Sequence, residues 1–321
     1  MVESIKMKKL LLTGAGGFVG QYVIDLLHED FEIIGLVHPA RDFEETLARY
    51  IDGNILDTDL LNKVISEEKP NVILHLAAKA ATWTTEPKEV FDVNFYGTLN
   101  LYQAVLSAQK EDPDYNPRII YVSSAEVYGK TTNPSHINEN DPFFPANLYA
   151  VSKVCADRLS YQYSQTHKLN IVILRPFNHI GPGQQKGFFV PDMASQIVKA
   201  ERNPEEQKLM VGNLKSIRDI QDVRDVVEAY KAVIMKENIT PGEAYNISSG
   251  KGITMKDLLE KLLSNATKKL EIKEDSEKNR ASDIPITVGD NSKFKSEFGW
   301  EPKYSIDEVL KDTLDYWREN L

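Results

Sequence analysis

Five short apolar runs, Lys8–Leu12, Phe31–Val37, Asn71–Leu76, Arg118–Val122 and Asn170–Leu174, alternate with stretches of helical periodicity along the first half of the chain. Each run is nearly continuous in apolar residues, the pattern of a strand covered on both faces. Strands separated by helices cannot close as tight hairpins, so they pair in parallel through crossovers. The predicted class is therefore α/β, a doubly wound parallel sheet. After Arg175 the texture changes to a Gly/Pro-rich stretch, PFNHIGPGQQKGFFVP, and shorter helices are predicted at about Asp192–Arg202, Val223–Met235, Thr254–Ser264 and Ile306–Glu319. This second half reads as a smaller α/β lobe interleaved with the end of the sheet. The expected division assigns 1–175 and about 214–238 to the sheet domain, and about 176–213 and 239–321 to a substrate lobe.

The 321 residues are long enough to bury a full core, and 41% hydrophobic with 27% charged residues is the balance of an ordinary globule. Formal charge is 38 minus 48, or −10, without a cluster of Lys and Arg, so no nucleic acid partner is expected. Near the start, MVESIKMKKLLLTGAGG carries only three consecutive leucines before turn-forming glycines, too few for a signal or a membrane span. A cytoplasmic protein with no membrane partner is expected. The single cysteine, Cys155, excludes an internal disulfide, and the six histidines do not cluster, so no metal site is expected.

Between the first strand and the helical pattern FVGQYVIDLLHE stands TGAGGFVG, with Gly14, Gly17 and Gly20 spaced GxxGxxG. Glycines there permit a tight turn, and a helix amino terminus approaching a pyrophosphate stabilises its charge through backbone N–H groups and the helix dipole. Strand, turn and helix together are the context of a dinucleotide site, the first turn of a Rossmann-type sheet. At the end of the second strand, GLVHPARDF places His38 and Pro39 where an NAD-preferring site has a carboxylate, with Arg41 close behind. Arg41 suits a 2′-phosphate, whereas Asp42 could turn in toward a ribose hydroxyl, so NADPH is expected and NADH stays open. The expected cofactor contacts are Gly14, Gly17, Phe18, Val19, Gly20, His38, Arg41, Asn54, Ile55, Leu76, Ala77, Ala78, Tyr149, Lys153 and Pro176.

Tyr149 and Lys153, in YAVSK, share one face of a predicted helix at i and i+4. A nearby ammonium favours phenolate, which predicts a Tyr149 lowered toward useful acid–base strength. The stretch SSAEVYG, Ser123–Gly129, ends the fourth strand and supplies hydroxyls at the sheet edge. A hydroxyl to orient a carbonyl, a phenol to protonate it and a cation beside the phenol suit hydride transfer to a ketone.

With these motifs the chain resembles an extended short-chain dehydrogenase/reductase acting on nucleotide sugars. The likeness is carried by TGAGGFVG, HLAA (His75–Ala78), VNFYGTLNL around Asn94, SSAEVYG, YAVSK, RPFNHIGPG (Arg175–Gly183), RDIQDV (Arg218–Val223) and YNISSG (Tyr245–Gly250). The resemblance implies Ser124 as catalytic serine, Tyr149 as acid and Lys153 as its partner. It further implies Asn178, Arg218 and Arg280 on the substrate's diphosphate and sugar, and a homodimer paired through helices near Glu89–Ala108 and Tyr149–His167. Ser124, Ala125 and Glu126 are also expected to line the substrate.

Dehydratases of this family resemble T-D-E or T-S-E where this chain has Ser124, Ala125 and Glu126. Removing the C5 proton and assisting departure of the C6 hydroxyl is a two-group task, and Ala125 offers no proton. Glu126 remains as a possible base, but without a companion a full 4,6-dehydration is disfavoured. Reduction of an existing 4-keto group needs only Ser124, Tyr149, Lys153 and a hydride, and a 4-epimerase uses the same three. The loop RPFNHIGPGQ with GFFVPDMASQI resembles the reductases that turn GDP-4-keto-6-deoxy-D-mannose into GDP-D-rhamnose, which sets a GDP-linked 4-keto-6-deoxy sugar as the expected partner.

Overall fold

The computed structural model describes residues 7–38, 47–80, 86–203, 205, 208–275 and 284–321. Pro39, Arg41, Asp42 and Arg280 lie outside them. The described residues fall into two compact units, 1–127 with 147–175 and 227–245, and 128–146 with 176–226 and 246–321.

In chain order the elements begin with β1 (Lys8–Thr13), α1 (Phe18–Leu27), β2 (Phe31–Val37), β3 (Arg49–Asp52), α2 (Thr58–Glu68) and β4 (Val72–His75). Next come α3 (Pro87–Phe91), a π turn at Asp92–Tyr96, α4 (Gly97–Glu111), β5 (Arg118–Val122), a 3-10 turn at Ala125–Val127, α5 (Leu148–Thr166) and β6 (Ile171–Pro176). The remainder runs β7 (Asn178–Ile180), α6 (Phe189–Arg202), β8 (Lys208–Val211), β9 (Ile217–Asp222), α7 (Val223–Met235), β10 (Ala244–Ile247), β11 (Gly252–Thr254), α8 (Met255–Ser264), β12 (Glu271–Glu274), β13 (Ile286–Thr287), α9 (Ser292–Phe298) and α10 (Ile306–Asn320).

The first unit carries a seven-stranded sheet in the order β10-β6-β5-β4-β1-β2-β3. From β3 to β6 every neighbouring pair is parallel. The order reverses direction at β1, where the chain winds outward first one way and then the other, so β1 and β4 flank the switch point at which such sheets bind ligands. Leu11, Ile34, Ile73, Ile119 and Ile173 from five strands are at most 0% exposed and pack with Leu61, Leu101 and Val105 from the helices. The two outer strands β3 and β10, four residues each, escape the sequence prediction; β3 has exposed and half-buried positions only, as a short edge strand does.

The second unit centres on β9, paired antiparallel with β11 and parallel with β13 and β7. β8 and β12 form a separate parallel pair. Their core joins α6, α8 and α10 through Ile197, Leu259 and Leu310. α8 is capped by Thr254, and α10 opens with a reciprocal Ser305–Glu308 capping box, the local signals that start helices where the periodicity predicts them.

The expected division differs from these units in three places. Residues 128–146 and 214–226 group with the second unit, and 239–245, which lead into β10, group with the first. The helix expected over Glu89–Ala108 is three pieces, with the π turn between α3 and α4.

Candidate active site

The glycine turn closes β1 onto α1. Gly14 has φ +73°, and a Cβ there would meet the backbone nitrogen of Ala77 at 2.8 Å, so only glycine lets the turn lie against the end of β4. At Gly20 a Cβ would come within 2.6 Å of the Gly14 and Ala15 carbonyl oxygens. Gly17 is the N-cap of α1; no side chain caps this start and no acidic residue stands in its first turn. Close glycine packing, an uncapped helix start and the absence of competing carboxylates fit a cofactor pyrophosphate. Phe18 and Val19, half-buried, open α1 directly after it.

Around this turn the other expected cofactor residues hold varied positions. Leu76 N–H donates to the Thr13 carbonyl and Ala77 N–H to the Thr13 hydroxyl at 3.1 Å, so β4 is tied to β1 just past the turn. Ala78 is exposed beyond them, and His38 is exposed at the end of β2. Asn54 accepts from Leu56 N–H at 2.9 Å, which orders the short segment after β3, and Ile55 is buried against Gly97. Pro176 is buried at the end of β6.

The three expected catalytic groups come together in the first unit. β5 delivers Ser124 two residues past its end, and α5 delivers Tyr149 and Lys153 from its first two turns. The Ser124 hydroxyl accepts from Glu126 N–H at 3.2 Å and stands close enough to the Tyr149 phenol to act on its acidity. Asn147 starts α5: its side-chain oxygen accepts from Ala150 N–H at 2.8 Å, and its amide donates to Glu126 at 2.8 Å. One residue thus fixes both the helix that bears Tyr149 and the carboxylate beside it.

Tyr149 departs from expectation in its acidity. Burial, then the Glu126 charge, push the phenol above its ordinary range, with only the Ser124 hydroxyl acting the other way. The predicted lowering by Lys153 is overturned because the ammonium is turned inward: Lys153 is 3% exposed and donates to the Val122 carbonyl at 2.5 Å. Burial pulls Lys153 down to about 7, against the opposing effect of Asp157. At neutral pH Tyr149 is therefore a protonated phenol, set to give a proton rather than to take one.

Behind these groups runs a buried polar chain. His75 lies 2.7 Å from the Thr13 hydroxyl through Nδ1 and 3.0 Å from the Thr98 hydroxyl through Nε2. Burial and then Lys153 pull His75 down to about 3, so the ring is neutral. Thr98 spends its proton on the Asn94 carbonyl, so Nε2 must be the donor to Thr98 and Nδ1 the acceptor from Thr13. Asn94, in the π turn, accepts from Lys79 N–H at 2.7 Å and donates to the Ser152 hydroxyl at 2.9 Å; Ser152 donates to the Tyr149 carbonyl. A π turn aims one side chain out of the helical register, and here it aims Asn94 at α5.

In the second unit Asn178 is exposed at the start of β7, and Arg218 is half-buried on β9, donating to the Ile217 carbonyl at 2.9 Å. Asp219 beside it accepts from Ser249, Gly250 and Gly289 N–H groups, which pins two loops next to Arg218.

The pattern of the GDP-mannose 4,6 dehydratase family matches residues 11–313. The chain belongs to this family. A GDP-6-deoxy-D-mannose reductase of Pseudomonas aeruginosa is 30% identical over 98% of this chain and 98% of its own. A GDP-6-deoxy-D-talose 4-dehydrogenase of Aggregatibacter actinomycetemcomitans is 29% identical over 95% of this chain and 98% of its own. The solved structure of RMD from Pseudomonas aeruginosa complexed with NADPH superposes with a TM-score of 0.83 at 30% identity, covering 98% of this chain and 100% of that one. As an extended short-chain dehydrogenase/reductase, the chain is an NAD(P)-dependent enzyme with a Rossmann-like fold.

For this family member, the sequence motifs name Ser124, Tyr149 and Lys153, which one unit carries, but not Asn147, Thr13, Ser152 or Asp157 beside them. Asn147 was readable, being an Asn three residues before Ala150 at a helix start, which is the signature of an N-cap. Thr13, Ser152 and Asp157 instead meet partners far along the chain, His75, Asn94 and Arg175, and leave no local pattern.

Proposed function

We propose that the chain reduces the 4-keto group of a GDP-linked 4-keto-6-deoxyhexose, with NADPH as hydride donor and GDP-D-rhamnose as product. The observation that carries this reading is a Ser124 hydroxyl close enough to the Tyr149 phenol to act on its acidity, beside an Ala125 that offers no proton. The NADPH complex and the reductase activity of the Pseudomonas aeruginosa relatives support it.

In this mechanism Ser124 donates to the substrate carbonyl oxygen and so fixes the carbon in position. The bound nicotinamide supplies the hydride that the carbon receives. Tyr149 gives its phenolic proton to the oxygen as negative charge builds there, leaving a secondary alcohol; Ser124 favours the phenolate that remains. Glu126, exposed and held by Asn147, accepts from a sugar hydroxyl. Asn178, Arg218 and Arg280 hold the diphosphate and sugar, where a guanidinium fork suits phosphate oxygens. The glycine turn with Phe18 and Val19 holds the pyrophosphate, and Arg41 the 2′-phosphate. We further propose a cytoplasmic homodimer paired through α4 and α5.

One observation favours a second reading. Glu126 is close enough to Tyr149 to raise the phenol, so a base stands in place for proton removal from a 4-keto sugar, the step that dehydration requires. The test is consumption of NADPH on addition of the 4-keto sugar. Tyr149→Phe is expected to cut turnover at least about 10²-fold while NADPH still raises the melting temperature. Unchanged turnover in that variant, or no ketone-dependent loss of NADPH by the wild type, overturns the reading.

A further inference from the structure

Lys153 has surroundings that its hydrogen bond to Val122 does not account for. Its ammonium lies 4.6 Å from the centroid of the Tyr121 ring. Tyr121 is on β5, 1% exposed, and its hydroxyl is buried without a hydrogen-bond partner among the described residues. A buried tyrosine without a partner for its hydroxyl costs stability relative to phenylalanine, so what the structure uses is the ring face, which attracts a cation.

One turn along α5 from Lys153, at i+4, stands Asp157, 0% exposed. Arg175 on β6, itself 1% exposed, grips it through two hydrogen bonds, Nε to Oδ2 at 2.9 Å and Nη2 to Oδ1 at 3.0 Å. Arg158 also donates to Oδ1, from Nη2 at 2.5 Å and from Nε at 3.2 Å. Burial works against the Asp157 carboxylate, but the Arg175 and Arg158 guanidiniums together hold the carboxyl below its ordinary range. The other titratable groups around Lys153 are His75 from β4, neutral as described, and Tyr149 from α5, with Tyr102 of α4 and Cys155 of α5 facing Tyr121.

We propose that Asp157 and the Tyr121 ring are positioning residues for Lys153, giving its ammonium a fixed anion one turn away and an aromatic face beneath it, with Arg175 locking the anion in place. Without them the ammonium would be a buried charge facing only a carbonyl, and it would shed its proton at a lower pH. The catalytic consequence rests on the reductase reading, in which Lys153 is the partner of Tyr149. The electrostatic arrangement itself does not.

The test follows Lys153 directly in the full chain. With isotope-labelled lysine, the Nζ resonance that disappears in Lys153→Met reports its titration by nuclear magnetic resonance. Asp157→Asn and Tyr121→Leu are each expected to move the midpoint down by about one pH unit, about tenfold in the ratio of ammonium to amine. Tyr121→Phe keeps the ring and is expected to leave it in place. The alkaline limb of kcat/KM should move with the midpoint in each variant. A folded Asp157→Asn or Tyr121→Leu protein whose midpoint matches the wild type overturns the proposal, as does a Tyr121→Phe shift equal to that of Tyr121→Leu. If Asp157→Asn does not fold, because Arg175 then faces a neutral amide, the two Tyr121 variants decide. A midpoint that moves without the kinetic limb sustains the proposal and refutes the catalytic role of Lys153.

Discussion

Lys153 is the residue at which stability and chemistry pull apart. Its ordinary value is 10.5 and burial pulls it to about 7, so between these limits the unfolded chain binds a proton that the folded chain has released. More protons on the unfolded state means that folding stability rises with pH across this window, and the cost of burying the ammonium is complete below about 7. Lys153→Met removes that cost. The melting temperature of Lys153→Met minus that of the wild type is expected to grow as pH falls from about 10 to about 7, while turnover is lost; a difference that is flat with pH would count against a depressed Lys153. Ser124, Tyr149 and Lys153 were legible because their chemistry and spacing are local. The acidity of Tyr149 was not, since it depends on the direction in which Lys153 points, and that is set by the Val122 carbonyl on another element.

At the scale of elements, α5 depends on Asn147 twice, once as cap and once as partner of Glu126. Asn147→Ala removes both. The loss of an N-cap costs about 1 kcal/mol, so the variant is expected to unfold at lower denaturant with an unchanged slope. Releasing Glu126 should also weaken substrate binding, read as a raised KM in the same protein. Asn147→Asp, a good cap that places a second carboxylate against Glu126, should recover the stability and not the KM; recovery of both would leave Glu126 without a substrate role. The interior strands were legible because double-sided burial writes an unbroken apolar run, as in the Ile171–Pro176 strand. β3 and β10 were not, because RYID and AYNI are short and mix polar residues into the run. The π turn was invisible too, since its cause is the set of bonds that Asn94 makes to Lys79 and Ser152.

For the whole molecule, the class and the parallel sheet follow from the alternation of strands and helices, but the strand order and the division into units do not. Residues 128–146 leave the first unit between two of its segments, and 227–245 return to it after the second unit has begun. No composition shift marks these crossings; they are set by which strand finds which neighbour. β6 has β5 on one side and β10 on the other, so a chain ending at residue 175 presents β6 as an unpaired hydrophobic edge. Such a fragment is expected to sediment with the insoluble fraction, and a chain ending after β10, at about residue 248, should be measurably more soluble; equal solubility would show that β10 does not protect the edge. This order of assembly has a consequence during synthesis. The ribosome has released most of the sheet long before residues 244–247 emerge, and about a fifth of the chain must be made while β6 waits for its partner. At ordinary elongation rates of about 5–20 residues per second that delay is several seconds. Over that interval the nascent enzyme is a client for chaperones that mask exposed strands, and its yield in a cell depends on translation speed between codons 176 and 247.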